Sequence, residues 1–360
     1  MTDHKHHYVL IMAGGIGSRF WPVSRRSMPK QFIDILGTGE SLIAQTYRRF
    51  ESIVPRENIF IVTNQEYANL VNEHIPGIDP SRVLLEPQAR NTAPCIAYAS
   101  FCIQRIDPEA ICVVAPSDHL ITNEAEFQRT IEKSYTFAAG FDCLITLGIQ
   151  PTRPDTGYGY IQFNPIPSGQ GFHEVKTFTE KPTLELARSF IDSGEFLWNA
   201  GIFAWSIKSI MHRLETHEPE IFQIFSEVSF ESENFGTELE KAYSLCPSIS
   251  IDYGVLEKDD QVYVYPSTFG WNDLGTWKSL WSVSEQDEHQ SVKIGKHIHA
   301  YDTTGSLVFS NTGRVVITSG IDNLVVVDSD DVILVMHRDR EQDLRNIVND
   351  MRDEFKGKLT

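Results

Sequence analysis

The chain has 360 residues, 41% apolar, 22% charged and 11% aromatic, enough for two or three units at roughly 100–200 residues per domain. Its 31 lysines and arginines stand against 49 aspartates and glutamates, a formal net charge of −18, which excludes the basic footprint of a nucleic-acid binder. The opening MTDHKHHYVLIMAGG carries too short an apolar stretch for a signal segment or a spanning helix, so a cytoplasmic protein without membrane partners is expected. Five cysteines without CxxC spacing give no support to a disulfide framework or a structural zinc site.

From Tyr8 to about Trp281 short apolar runs alternate with longer amphipathic stretches, the rhythm of α/β architecture. Strands are expected at Tyr8–Met12, Ile59–Val62, Val83–Leu85, Ile111–Ala115, Leu144–Gly148, Tyr160–Phe163, Val175–Thr179, Ala200–Ser206 and Val262–Pro266. Helical periodicity marks Ser41–Phe50, Ala93–Ile106 and Glu124–Ala139. The early strands are continuous apolar runs, as buried parallel strands are. Tyr160–Phe163 and Val175–Thr179 flank NPIPSGQG and read as an antiparallel excursion over the main sheet. After a polar stretch near Glu285–Gln290, short β-rich runs follow at Leu307–Phe309, Val315–Ile317, Leu324–Val327 and Val332–Met336. They read as rungs of a small all-β domain closed by a helix at Arg340–Phe355. The expected domains are residues 1–285 and 291–360.

The first strand runs into Ala13-Gly14-Gly15-Ile16-Gly17-Ser18-Arg19-Phe20-Trp21-Pro22, followed by Pro29-Lys30. Glycines at a strand end let backbone N–H groups approach a phosphate. A dinucleotide fingerprint would need a third small residue where Arg19 and Phe20 stand, and the Gly-Lys-Ser/Thr of a P-loop is absent. A bare Gly-Gly-x-Gly is as readily an ordinary turn, but Arg19, Pro22, Pro29 and Lys30 in this order favour an extended loop that brings two cations onto a polyphosphate.

AGGIGSRFWPVSRRSMPKQF resembles the signature of the sugar-nucleotide pyrophosphorylases, and its Phe-Trp-Pro-x-Ser-Arg and Pro-Lys-Gln-Phe elements are similar to those of the mannose-1-phosphate guanylyltransferases. The likeness continues in order at Glu86-Pro87, Asn91-Thr92-Ala93-Pro94, Pro116-Ser117-Asp118-His119, Gly157-Tyr158-Gly159, Glu180-Lys181-Pro182, Trp198-Asn199-Ala200-Gly201 and Trp271-Asn272-Asp273-Leu274-Gly275. It implies an α/β fold: a Rossmann-like nucleotidyltransferase domain with a mostly parallel mixed sheet, plus a small C-terminal all-β, β-helix-like domain ending in a helix.

The implied reaction joins two anions. A phosphate oxygen of mannose 1-phosphate attacks the α-phosphorus of GTP, giving GDP-mannose and pyrophosphate without a covalent intermediate. Chemistry of this kind needs positioning and charge stabilisation more than proton transfer. The resemblance implies that Asp118, at the end of a strand, and Asp273, in a loop, hold Mg²⁺; either aspartate alone would read as a turn or cap residue. Catalytic roles fall to Arg19, Lys30, Asp118, Lys181 and Asp273. Ala13, Gly14, Gly15, Gly17, Ser18, Arg19, Glu86, Asn91, Thr92, Ser117 and Asp118 are expected at the nucleotide, with Asn91 or Thr92 also able to cap a helix. Gly157, Tyr158, Gly159, Glu180, Lys181 and Asn199 are expected at the sugar phosphate. Without that resemblance, Gly157–Gly159 would be a hairpin bend and Trp198–Gly201 a turn.

His4, His6 and His7 read as a frayed terminus rather than a metal site, and His119 as no part of a nucleophilic dyad. A homodimer contact through the β-rich tail, and no additional isomerase domain, also follow from the resemblance. The alternatives are a pyrophosphorylase for another hexose 1-phosphate or nucleotide, and a non-catalytic sugar-nucleotide sensor. The absent third glycine disfavours a nicotinamide oxidoreductase.

Overall fold

The computed structural model describes residues 4–359. The chain forms two compact units assembled from separated segments. Unit 1 takes the start of the chain through Gly14, Tyr47–Pro116 and Ile121–Trp271; unit 2 takes Gly15–Thr46, Ser117–Leu120 and the chain from Asn272 onward. Packing therefore cuts across the linear division at 285–291, because the loop that follows the first strand shares a core with the C-terminal region.

Unit 1 is built on a nine-stranded mixed sheet. Its strands are β1 (His7–Met12), β2 (Ile59–Asn64), β3 (Val83–Glu86), β4 (Ile111–Pro116), β5 (Leu144–Ile149), β6 (Gly159–Phe163), β7 (His173–Glu180), β8 (Phe196–Ser206) and β9 (Val262–Ser267). They lie in the order β3-β2-β1-β4-β8-β5-β9-β7-β6, with β8 also pairing β6. β1 to β4 are mutually parallel, Met12 lying beside Val62 and Pro116 and Asn64 beside Glu86, so their C-terminal ends share one edge. Open α/β sheets bind ligands at such an edge. Val9, Ile11, Ile59, Ile61 and Val113 are completely buried, the consequence of β-branched runs covered on both faces. Against this half packs the helix Thr92–Ile106, whose Ala93, Ile96, Ala97 and Ala99 have no exposed surface.

Two expectations are corrected here. β6 and β7 are a hairpin inside the main sheet, β6 paired to β8 and β7 to β9, not an excursion over it. β8 begins at Phe196 rather than Ala200, so Trp198-Asn199-Ala200-Gly201 is strand and not turn. The strand accommodates these residues through a register shift against β5 between Thr146 and Gly148, with Gly201 at φ 66°. An irregularity of this kind kinks a strand and re-aims its side chains. The N-terminal histidines are also ordered: His6 Nδ1 lies 2.7 Å from Asp107, and His7 stacks on Tyr135 with ring centroids 4.1 Å apart.

Unit 2 contains β10 (Val292–Ile294), β11 (Ile298–Thr304), β12 (Leu307–Ser310), β13 (Val316–Asp322), β14 (Leu324–Asp328) and β15 (Ile333–His337). Successive rungs stack in parallel: Val292 lies beside Leu307 and Leu307 beside Val325, while Ile298 lies beside Val316. β15 closes the larger sheet antiparallel to β14, and the helix Leu344–Glu354 follows. One core joins Phe20, Trp21, Ile35, Leu274, Trp277, Leu307, Phe309, Val325 and Leu344. The Phe20 and Trp277 rings meet edge to face at 4.9 Å, and Trp277 Nε1 donates to the Trp21 carbonyl at 3.2 Å. Among the described residues no helix is long and apolar enough to cross a membrane.

Candidate active site

In unit 2 the glycine-rich segment folds around a lysine. The Lys30 backbone N–H donates to the Ile16 carbonyl at 3.1 Å. Gly17 has φ 69°, and a Cβ there would stand 2.4 Å from the Lys30 Cβ, so both conformation and space require glycine. The buried Lys30 side chain places Nζ 2.9 Å from Asp118 Oδ2 and donates to the Asp273 carbonyl oxygen at 2.8 Å. One ammonium thus brings together two residues far apart in sequence. Burial works to raise the Asp118 carboxyl, but Lys30, helped by His119, holds it below the usual carboxylate range.

Asp273 sits in a turn set by its own side chain: Oδ1 accepts the Gly275 N–H at 3.0 Å, while Asn272 Oδ1 accepts from Leu274 N at 2.8 Å. Gly275 leaves room for this carboxylate, since a Cβ would lie 2.5 Å from Oδ2. Hard carboxylate oxygens at Asp118 and Asp273 are the donor type that Mg²⁺ takes together with substrate phosphates. Among the described residues no group of three or more His, Cys, Asp or Glu gathers as a self-contained metal site. Gly15, Ser18 and Arg19 are exposed, and a Cβ on Gly15 would meet nothing within 4 Å. Ser117 is buried, its carbonyl accepting from Thr46 Oγ1 at 3.2 Å.

Unit 1 holds the other expected residues in two neighbourhoods. At the β1–β3 edge, Ala13 is buried, with its N–H on the Val62 carbonyl and its own carbonyl accepting from Thr63 Oγ1, both at 2.8 Å. Exposed backbone in this unit's part of the opening segment therefore starts at Gly14. Glu86 is only 5% exposed. Its Oε1 accepts from Tyr243 Oη at 3.2 Å, and Oε2 lies 3.4 Å from where a Gly14 Cβ would stand. Burial pushes the Glu86 carboxyl up to about 7, the Tyr243 hydrogen bond offsetting part of the rise. Asn91, at φ 67°, is the helix cap and accepts from Thr92 N at 2.9 Å. Thr92 Oγ1 accepts from Ile251 N at 2.8 Å, tying down the segment that enters a π-helical turn at Asp252–Leu256.

The second neighbourhood surrounds Gly159, where a Cβ would fall 2.0 Å from Glu180 Oε1 and 3.4 Å from the Asn199 Cβ. Glycine is the condition for these two side chains to share the space. Lys181 holds φ 47°, rare for a residue with a Cβ and typical of strained functional positions. Its N–H donates to the Tyr158 carbonyl at 3.2 Å, and its mostly exposed Nζ lies 3.4 Å from Glu180 Oε2. Tyr158 packs edge to face on Trp198 and Trp271 at 5.0 and 5.3 Å and forms an aromatic wall. Gly157 is exposed, its N–H on Asp155 Oδ1 at 2.9 Å. Asn199 Oδ1 accepts from Thr146 Oγ1 and Gly201 N, each at 3.0 Å, and Nδ2 donates to Asp252 Oδ1 at 2.8 Å.

A family model described as nucleotidyl transferase matches residues 8–290, and one described as a MannoseP isomerase/GMP-like beta-helix domain matches residues 295–351. The xanthan biosynthesis protein XanB of Xanthomonas campestris pv. campestris is 37% identical over 98% of this chain and 74% of its own length. A mannose-1-phosphate guanylyltransferase of Sinorhizobium fredii is 36% identical over 97% of this chain and 69% of its own length. The chain belongs to the mannose-1-phosphate guanylyltransferase family of nucleotidyl transferases. The crystal structure of a Thermus thermophilus protein described as a mannose-1-phosphate geranyltransferase is 32% identical and superposes with a TM-score of 0.88, covering 96% of this chain and 99% of that one. Family membership agrees with the α/β nucleotidyltransferase fold and its β-helix-like C-terminal domain.

Sequence reasoning missed Asp252, Thr146 and Tyr243, which hold Asn199 and Glu86 in place. The one available signal was Asp252 itself, a lone carboxylate in the otherwise uncharged run Ile249–Leu256.

Proposed function

We propose that the protein transfers GMP from GTP to α-D-mannose 1-phosphate, forming GDP-mannose and releasing pyrophosphate. The observation that carries this reading is the Lys30 ammonium, held between Asp118 and the Asp273 carbonyl in the unit that also exposes Gly15, Ser18 and Arg19. That arrangement provides a cation, hard anionic ligands and open backbone in one unit, which is what a triphosphate with a divalent ion needs. The names of the relatives support the choice of nucleotide and sugar.

In this reading a phosphate oxygen of mannose 1-phosphate attacks the α-phosphorus in line. The bond from that phosphorus to the bridging oxygen of the β-phosphate breaks, and pyrophosphate leaves with the electron pair. Arg19 and Lys30 offset triphosphate charge, while Lys181 binds the sugar phosphate. Glu180, Asn199 and the Gly157–Gly159 backbone take sugar hydroxyls. Glu86, as a carboxylate, offers two acceptors to the guanine N1–H and N2–H₂. Asp118 and Asp273 would hold Mg²⁺ together with the substrate phosphates, and the ion would supply further neutralisation of phosphate charge there. No side chain is required as a nucleophile.

A homodimer formed through the C-terminal strands belongs to the same proposal. Its support is the set of exposed apolar side chains Tyr301, Val315, Ile317, Ile333 and Val335, the last two on edge strand β15.

The test is pyrophosphate release with Mg²⁺, each nucleoside triphosphate being offered with mannose 1-phosphate or glucose 1-phosphate. Release confined to GTP with mannose 1-phosphate, and lost in Asp118→Ala, supports the whole reading. Preference for another pair overturns the specificity, and nucleotide binding without release from any pair points to a sensor.

A further inference from the structure

Asn199 has already committed most of its hydrogen-bonding capacity. A carboxamide oxygen has two lone pairs and its nitrogen two hydrogens. Both lone pairs are used, by Thr146 Oγ1 and Gly201 N at 3.0 Å, and one hydrogen goes to Asp252 Oδ1 at 2.8 Å. The network also fixes which way the amide faces, since a flip would set its N–H groups against the Gly201 N–H. One N–H remains, so Asn199 can only donate to an incoming ligand. A sugar hydroxyl held firmly needs an acceptor for its own proton as well as a donor.

That acceptor stands beside it. Asp252 opens the π-helical turn Asp252–Leu256, a backbone irregularity frequent at functional sites. The turn is anchored by the Ile251 N–H on Thr92 Oγ1 and by the Ala93 N–H on the Ile249 carbonyl at 3.1 Å. Asp252 is partly exposed, and among the described residues the hydrogen bond it accepts from another side chain is that of Asn199, on Oδ1. Oδ2 is not among the fully buried polar atoms lacking partners. Burial first, then the nearby charge of Glu180, raises the Asp252 carboxyl to about 6. Two carboxylates kept close together in a half-buried place carry an electrostatic cost, as groups retained for a ligand do.

We infer that Asp252 is a specificity-determining residue of the sugar site, its carboxylate and the remaining Asn199 N–H together gripping one hydroxyl of the sugar 1-phosphate. The inference rests on reading the Gly159, Glu180 and Asn199 cluster as the sugar site. Glu180 then remains for a different hydroxyl. A sugar lacking the gripped hydroxyl, or presenting it in the other orientation, displaces water from the half-buried Asn199 N–H and Asp252 carboxylate without replacing its hydrogen bonds, the situation in which polar sites discriminate most strongly.

The test uses the full chain with Asp252→Ala and Asp252→Asn. KM for the sugar 1-phosphate and for GTP is measured with the parent sugar and with analogues each lacking one hydroxyl. Asp252→Asn can still accept from Asn199 through its amide oxygen, and so preserves the internal network while presenting a donor to the hydroxyl. Both variants are expected to raise the sugar-phosphate KM about 10- to 100-fold, with kcat and the GTP KM within about threefold of the parent protein. One deoxy analogue should show the same loss with the parent protein and no further loss with either variant, the non-additivity of a shared contact.

Additive losses with every analogue, equal changes in both KM values, or a parental KM in Asp252→Asn would overturn the inference. The series is run with whichever sugar 1-phosphate the parent protein turns over, so an error in the mannose assignment is seen separately. If the parent turns over none, calorimetric affinities for mannose 1-phosphate and glucose 1-phosphate replace KM. A parent that binds neither overturns both readings.

Discussion

Lys30 Nζ lies 2.9 Å from Asp118 Oδ2, with 4% of the lysine side chain and 30% of the aspartate side chain exposed. A buried cation is tolerated when a carboxylate and a carbonyl share it, and here the carbonyl is that of Asp273. In the proposed reaction, the charge assigned to the triphosphate is therefore already in position before the ligand arrives, as electrostatic preorganisation requires.

Replacing this lysine separates its two roles. Lys30→Met should destabilise the fold by about 2–3 kcal/mol, below the range for a fully buried pair because Asp118 keeps contact with water. Nucleotidyl transfer should fall on the order of 100- to 1000-fold. The Asp118 carboxyl is lowered in the folded protein, so the pair's stabilisation is full above the ordinary aspartate value of about 3.9. It is lost as pH falls through the lower folded value. Denaturant midpoints of parent and variant should converge in acid; a constant gap down to the lowest pH would contradict the pairing.

Gly15 and Gly17 are two residues apart but should answer differently to alanine. At Gly17 the left-handed φ and the Lys30 Cβ predict a loss of about 2 kcal/mol or more, seen as a lower melting temperature. Gly15 has open space around it, so Gly15→Ala should melt like the parent while the KM for GTP rises about tenfold or more. Equal melting temperatures for the two variants would refute this account of the loop.

Glu86 supplies a pH signature. Its raised carboxyl means the folded state holds the proton more tightly than the unfolded chain. The ionised form thus costs stability, a cost absent below the ordinary value of 4.5 and complete above about 7. Glu86→Gln should therefore gain in melting temperature relative to the parent as pH rises from 5 to 8. If the carboxylate reads guanine, the parent's KM for GTP falls across pH 6 to 8 while that of the variant stays flat. The preference for GTP over ITP, which lacks the 2-amino group, should shrink in the variant. A flat profile in the parent would remove Glu86 from base recognition.

The exposed apolar residues of the C-terminal strands predict the mass of two chains by light scattering. Ile317→Lys together with Ile333→Lys should give the mass of one chain with an unchanged far-ultraviolet spectrum, since both side chains are more than 60% exposed. A monomeric parent would contradict the dimer.

Much of the parallel half-sheet is legible in the sequence because continuous apolar runs rich in β-branched residues, such as Val9–Ile11 and Ile111–Val114, leave few alternatives. The start of β8 is not, because Asn199 and Gly201 look like turn residues and only the shifted pairing with β5 explains them inside a strand. The individual motifs are legible through resemblance, whereas what supports them is not. No local pattern links Glu86 to Tyr243 or Asn199 to Asp252, since these are contacts between residues distant in sequence. The Lys30, Asp118 and Asp273 grouping is of the same kind: spacing alone cannot join them, and a single ammonium does.

The central claim is direct transfer of GMP between two anions, and stereochemistry at the α-phosphorus tests it most directly. One diastereomer of guanosine 5′-O-(1-thiotriphosphate) is incubated with mannose 1-phosphate, Mg²⁺ and the protein, and the configuration of the sugar-nucleotide product is determined by phosphorus NMR. A single in-line displacement predicts that product with inversion. Retention would require a nucleotidyl-enzyme formed on a protein side chain and would contradict the account, as would the absence of any GDP-mannose analogue.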